Sequence, residues 1–145
     1  MKYSECKKLR QFCESLFTTP DWREVAENIE DQEDDFEVGG VRFIADSAID
    51  DIQAEELGSD EYILGCFNAE FLAGVLGIDL DVIEAMQKAE AYEAIGKLVK
   101  SLGKLEELQQ EYSAADGYGH HFNSYDFGEE SITIDGREYH VFDNH

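Results

Sequence analysis

Two dipeptides set the first limit on what this chain can fold into. Gly39-Gly40 sits between FEV and VRFI, and Asp135-Gly136 sits between SITI and REYHVF. A two-residue hairpin connection of the primed type needs positive φ at its central positions, a conformation that Gly-Gly and Asp-Gly supply at low cost. The first turn fixes a register that pairs Val38 with Val41, Glu37 with Arg42 and Phe36 with Phe43, one opposite-charge pair among apolar ones. The second places Ile132 and Ile134 on a face with Tyr139 and Val141. The two hairpins are expected to join in one antiparallel sheet packed by helices.

Elsewhere the apolar period changes from two to 3.6. Cys6, Leu9, Cys13, Leu16 and Phe17 mark a helix over residues 3–17. Thr19-Pro20 reads as a cap followed by proline in the first helical position, opening a helix to Glu30 with Trp22, Val25, Ala26 and Ile29 inward. The anionic run EDQEDD, residues 30–35, repels itself and reads as a loop. Ser47 can cap a short helix through Leu57 that turns Ile49 and Ile52 inward and Asp50, Asp51, Glu55 and Glu56 outward. YILGCF, from Tyr62 to Phe67, suits a buried strand, with a helical turn as the alternative.

From Asn68 to Met86 the pattern describes two helices joined through Gly77. Phe71, Leu72, Val75 and Leu76 form the first stripe, Asp79 can cap the second helix, and Leu80, Ile83 and Met86 resume the stripe. The second helix either runs on to Gly103 or bends near Ala89. Leu105, Leu108, Tyr112 and Ala115 form a further stripe, closed by Asp116-Gly117, and GYGHHFNSYDFGEE reads as an ordered loop. The expectation is one α+β domain over residues 1–145, with two β-hairpins in an antiparallel sheet and five or six helices around it.

The spacing of Ala73, Gly77 and Ile83 matches a DNA-binding helix-turn-helix. Asp79, Asp81 and Glu84 stand where a DNA reader would carry basic or amide side chains, so the corner reads as scaffold. Charge supports that exclusion. The chain carries a net charge of −23, and from Gln11 to Gln87 only Arg23 and Arg42 oppose 21 carboxylates. Phosphates would meet carboxylates, which disfavours direct binding to nucleic acid. A field of one sign attracts basic partners over long range instead.

Carboxylates spaced along a loop and helices can imitate the phosphate rows of a duplex and occupy a basic groove on another protein. The residues that best suit this role are Asp31, Glu33, Asp34, Asp35, Glu37, Asp46, Asp50, Asp51, Glu55 and Glu56. A second reading centres on the Tyr118–Tyr125 loop, where His120, His121 and Asp126 could bind a metal or small molecule, in a binding domain or an enzyme, with His140 and His145 as distant partners. A third is that the acidity only keeps the protein in solution. Nucleophile-elbow, phosphate-loop and dinucleotide-binding motifs are absent, and no cofactor is expected. The three cysteines lack C-x-x-C spacing and read as buried thiols of a reducing cytoplasm. No apolar leader follows the charged N-terminus, and no run reaches the length of a membrane span.

Two stretches, SDEYILGCFNAEFLAGVLGIDLDVIEAMQKAEAYEAIGKLV and LQQEYSAADGYGHHFNSYDFGEE, resemble small acidic proteins of bacteria and their phages and plasmids. The resemblance covers roughly residues 41–130 and carries over no catalytic residue. It implies a mobile-element setting, in which small acidic proteins often antagonise restriction or CRISPR nucleases by mimicking nucleic acid. The expected function is therefore non-enzymatic binding of a basic protein, such as a nucleic-acid-handling complex.

Overall fold

Both hairpins form in the registers that their turns dictate. In the computed structural model, which describes residues 1–144, Asp35–Val38 (β1) pairs with Val41–Ala45 (β2), with Phe36 opposite Phe43 and Val38 opposite Val41. Glu130–Ile134 (β3) pairs with Arg137–Asp143 (β4) in the same way. The turn residues all have positive φ: 58° and 86° at Gly39 and Gly40, 52° and 77° at Asp135 and Gly136. Antiparallel pairing of β2 with β4 joins the hairpins into one sheet of order β1-β2-β4-β3. The architecture is α+β, as the sequence implies.

The chain divides into two compact units, Met1–Ile49 with the C-terminal stretch from Asp116, and Asp50–Ala115. In the first unit, helices α1 (Tyr3–Ser15) and α2 (Trp22–Glu30) cover one face of the sheet. Leu9, Cys13, Val25 and Ile29 meet Val41, Phe43, Ile132, Ile134, Tyr139 and Val141 there. The Phe36 and Phe43 rings stack with centroids 5.0 Å apart. Strand alternation turns Arg42, Ile44, His140 and Phe142 to the opposite face. On that face Phe142 meets the Phe122 ring at 5.2 Å.

Helix α2 starts later than Thr19-Pro20 suggests. Asp21 is the cap, its carboxylate accepting the Arg23 N–H at 3.0 Å, and Pro20 is buried ahead of the helix. A carboxylate two residues from an open N–H answers the helix end directly, so it takes the cap.

The second unit is helical: α3 (Ile49–Gly58), α4 (Glu61–Gly65), α5 (Ala69–Leu76), α6 (Leu80–Lys88), α7 (Tyr92–Ser101) and α8 (Leu105–Asp116). Its core gathers Leu57, Leu64, Leu72, Val75, Ile83, Ile95, Val99 and Leu108. YILGCF is thus a helix rather than a buried strand. Asp60 caps it by accepting the Ile63 N–H at 3.2 Å, and only Leu64 and Gly65 are buried, whereas a buried strand would turn both faces inward. Cys66 lies exposed just beyond, contrary to the expected burial. Cys13 is buried, and burial, followed by the charges of Asp21 and Glu14, pushes its thiol up to about 11.

The α5–α6 corner forms as read. Asn68 caps α5, Gly77 takes a φ of 67°, and the Ala73 carbonyl receives the N–H groups of both Gly77 and Ile78. Helix α6 ends at Lys88, and Glu90 (φ 60°) turns the chain before α7, so the long run of apolar spacing is two helices. A single turn, α9 (Gly119–Phe122), interrupts the loop after α8. These three features account for nine helical segments among the described residues where five or six were expected. No helix among the described residues is long and apolar enough to cross a membrane.

Helices α4 and α7 cross with their backbones in contact. A Cβ at Gly65 would lie 1.9 Å from the Tyr92 carbonyl oxygen, and one at Gly96 would lie 2.0 Å from that of Glu61. Gly74, on α5, has open space where its Cβ would be. We predict that Gly65→Ala or Gly96→Ala destabilises the protein by about 3 kcal/mol or more, because backbone cannot yield as a side chain does. Gly74→Ala should instead stabilise it by about 0.5–1 kcal/mol through helix propensity. Urea unfolding of the three variants checks this, and equal effects at all three positions would refute the close crossing.

Candidate functional site

The period of two in β4 puts Glu138 and His140 on the same side of the sheet. Pairing with β2 sets Ala45 opposite Tyr139, and the next residue, Asp46, donates its N–H to the Glu138 carbonyl at 2.9 Å. Asp46, Glu138 and His140 therefore converge, with one side-chain O or N from each lying within 4.8 Å of the others. The His140 Nε2 lies 2.7 Å from Asp46 Oδ1, and its Nδ1 lies 2.5 Å from Glu129 Oε1. The ring of Tyr118 meets the imidazole edge-on at 5.1 Å. His140 is only 9% exposed, while the carboxylates of Asp46 and Glu138 reach solvent.

Glu129 is delivered by the loop, and Asn123 organises that loop. Asn123 is buried, and its Oδ1 accepts the N–H groups of Tyr125 and Asp126 at 3.0 and 3.3 Å. Its Nδ2 donates to Asp126 Oδ1 at 2.7 Å and to the Gly128 carbonyl at 2.9 Å. Gly119 presses on the same segment, since a Cβ there would lie 2.2 Å from the Phe127 carbonyl oxygen.

Burial by itself would lower the His140 pKa. The hydrogen bonds to Asp46 and Glu129 and the charges of both outweigh it, so the pKa is raised above the ordinary 6.5. Carboxylates only accept, and the imidazolium is the form that donates from both nitrogens.

The residues first suspected in the loop go elsewhere. GHHF forms a helical turn within the segment that reads as a loop; His120 stacks on Phe127 at 4.9 Å, and His121 meets Phe122 edge-on at 4.6 Å. Asp126 is engaged by Asn123 and by the Gly128 N–H. Tyr118 of that group reaches His140. His145 lies outside the described residues.

The acidic residues fall into both units. Asp31, Glu33, Asp34, Asp35, Glu37 and Asp46 are exposed in the first; Asp50, Asp51 and Glu55 are exposed and Glu56 half-buried in the second. Several are held by partners within their own unit. Arg42 grips Asp35 through two bonds of 2.9 and 2.7 Å, although the register sets it opposite Glu37. Arg137 pairs with Asp34, Asp46 bonds His140, and Gln109 donates to Asp50 at 2.8 Å. Asp31, Glu33 and Glu37 enter no ion pair among the described residues.

Sequence reading missed Glu129, Glu138 and Asn123. The alternating Glu138 and His140 in REYHVF were a usable signal, but only the β2–β4 register adds Asp46 to them. Comparison with known proteins returned no match to a family model, a curated protein or a solved structure.

Because the folded-state pKa of His140 is raised, its ion pairs contribute fully below about pH 6.5, where histidine is charged in both folded and unfolded chains. That contribution is lost as pH rises through the folded value. The stability advantage of the native chain over His140→Gln, measured by urea unfolding with chelator present, should therefore shrink as the solution passes from mildly acidic to alkaline. Titration of the His140 ring by NMR should place its midpoint above 6.5; a midpoint below that value would show that burial prevails.

Proposed function

We propose that this chain is a non-enzymatic acidic binding protein that engages a basic partner through charge, in the manner of a nucleic-acid mimic. The observation that carries the reading is the fixed anionic segment between α2 and β1. Arg137 and Arg42 hold Asp34 and Asp35 against the sheet. Asp31, Glu33 and Glu37 beside them remain exposed and, among the described residues, outside ion pairs. A mimic needs its charges pre-placed, because ordering a mobile acidic loop on binding would cost conformational entropy.

Both units support the reading. Residues 1–49 with 116–145 carry 19 carboxylates against seven Lys and Arg, and residues 50–115 carry 15 against four. A further acid-lined cleft of about 180 Å³ in the first unit is bordered by Asp126, Glu129, Glu130 and Asp143, with the exposed ring of Phe17 at its edge. Carboxylates together with the apolar Leu16, Phe17 and Val141 suit a Lys or Arg side chain, whose stem is apolar and whose tip is charged. The favoured partner is a basic groove that otherwise receives nucleic acid, and the mobile-element resemblance points to a restriction or CRISPR nuclease.

The test is affinity capture from bacterial lysate on the immobilised protein. Nucleic-acid-binding proteins should be retained at low ionic strength, elute with salt, and be displaced by duplex DNA, because charge carries the contact. The triple variant Asp31→Asn, Glu33→Gln, Glu37→Gln should lose most of the retained material while folding as the native chain does. Retention that neither salt nor DNA competes away, or that survives in the triple variant, would overturn the proposal.

A further inference from the structure

We infer that Asp46, Glu138 and His140 form a binding site for a first-row divalent cation of the zinc class. The three residues belong to two hydrogen-bonded strands or their immediate end, so their positions are set by the sheet and not by loop motion. Their donor atoms lie within 4.8 Å of one another; metal–donor bonds of about 2.0–2.2 Å set tetrahedral donors about 3.5 Å apart, a closure that side-chain rotation of the exposed Asp46 and Glu138 supplies. One imidazole nitrogen with two carboxylates is a borderline donor set. It suits zinc and its neighbours, whereas magnesium and calcium prefer all-oxygen shells.

The surroundings of the histidine match that role. A ligating imidazole characteristically donates its other ring N–H to a carboxylate, which fixes the tautomer and raises the basicity of the ligand nitrogen. Glu129 takes that position at Nδ1, 2.5 Å away, and leaves Nε2 to Asp46 at 2.7 Å, the side from which a cation would take it. The Tyr118 ring borders the imidazole. Asp46 and Glu138 are exposed, so an ion can enter from solvent, and three protein ligands leave a fourth position for water. On binding, the cation takes the Nε2 lone pair and the proton held between Nε2 and Asp46 passes to solvent, with no change in oxidation state. The site is distinct from the His120–His121 pair and stands whether or not the acidic surface captures a basic partner.

The experiment is calorimetric titration of the chelator-stripped full chain with Zn²⁺, paralleled by Co²⁺ titration read by visible absorption. One ion per chain is expected, with a d–d spectrum that saturates at the same ratio. Asp46→Asn and Glu138→Gln alter solvent-exposed side chains, and circular dichroism confirms their fold. Each should weaken binding by about ten-fold or more, and Glu129→Gln should also weaken it. The double variant His120→Ala, His121→Ala should bind as the native chain does. Absence of saturable Zn²⁺ binding, binding indifferent to Asp46→Asn and Glu138→Gln, or loss only in the His120/His121 variant would overturn the assignment. Calcium or magnesium competing on equal terms would overturn the zinc-class donor argument.

Discussion

Pairing of β2 with β4 is the contact on which the first unit depends. It joins a hairpin near the N-terminus to one at the C-terminus, and residues 50–115 are threaded between them in the chain. Closing so long a loop costs entropy before any contact compensates it. The pairing is compensated by the core it creates, where Phe43, Tyr139 and Val141 sit side by side under α1 and α2. The same register brings Asp46 beside Glu138 and His140, so the core and the candidate site rest on one set of backbone hydrogen bonds.

The second unit depends on a different constraint, the crossing of α4 and α7 at Gly65 and Gly96. There each helix lies against a carbonyl of the other, at a distance that excludes any side chain. Close approach of backbones turns a five-residue helix into a fixed element and presents Leu64 to the core. Helix α4 is too short to persist on its own propensity. Tertiary contact, together with the Asp60 cap, is what makes it helical.

Charge in this protein is partly structural, and in the proposed function the rest forms the binding surface. Part of the acidity is internal to the fold: Asp34 and Asp35 anchor arginines, Asp143 accepts from the N–H and hydroxyl of Thr18, and Asp46 and Glu129 enclose His140. These pairs give the acidic segments defined positions. Other carboxylates, Asp31, Glu33 and Glu37 among them, stay exposed and add to the field. An anionic surface held by its own few cations is a better template for a basic groove than a mobile acidic tail, because less ordering is required when the partner arrives.

What the residues alone determined were the local decisions. Gly39-Gly40 and Asp135-Gly136 allow little besides tight hairpins, and the alternation beside them fixes the register within each. Asn68, Gly77 and the flanking stripe likewise specify the α5–α6 corner, because cap, left-handed turn and apolar period all act within a few residues. Local rules failed where distant partners decided. YILGCF, open between a strand and a helical turn, became a helix through its contact with α7, and Asp35 rather than Glu37 took Arg42. The site followed the same division. His140 was visible as a titratable residue in a strand, but its neighbours come from the end of β2 and from a loop ordered by Asn123. No spacing in the chain encodes their meeting, since it follows from a strand pairing that spans most of the sequence and from side chains that acquire their partners only once the sheet has closed.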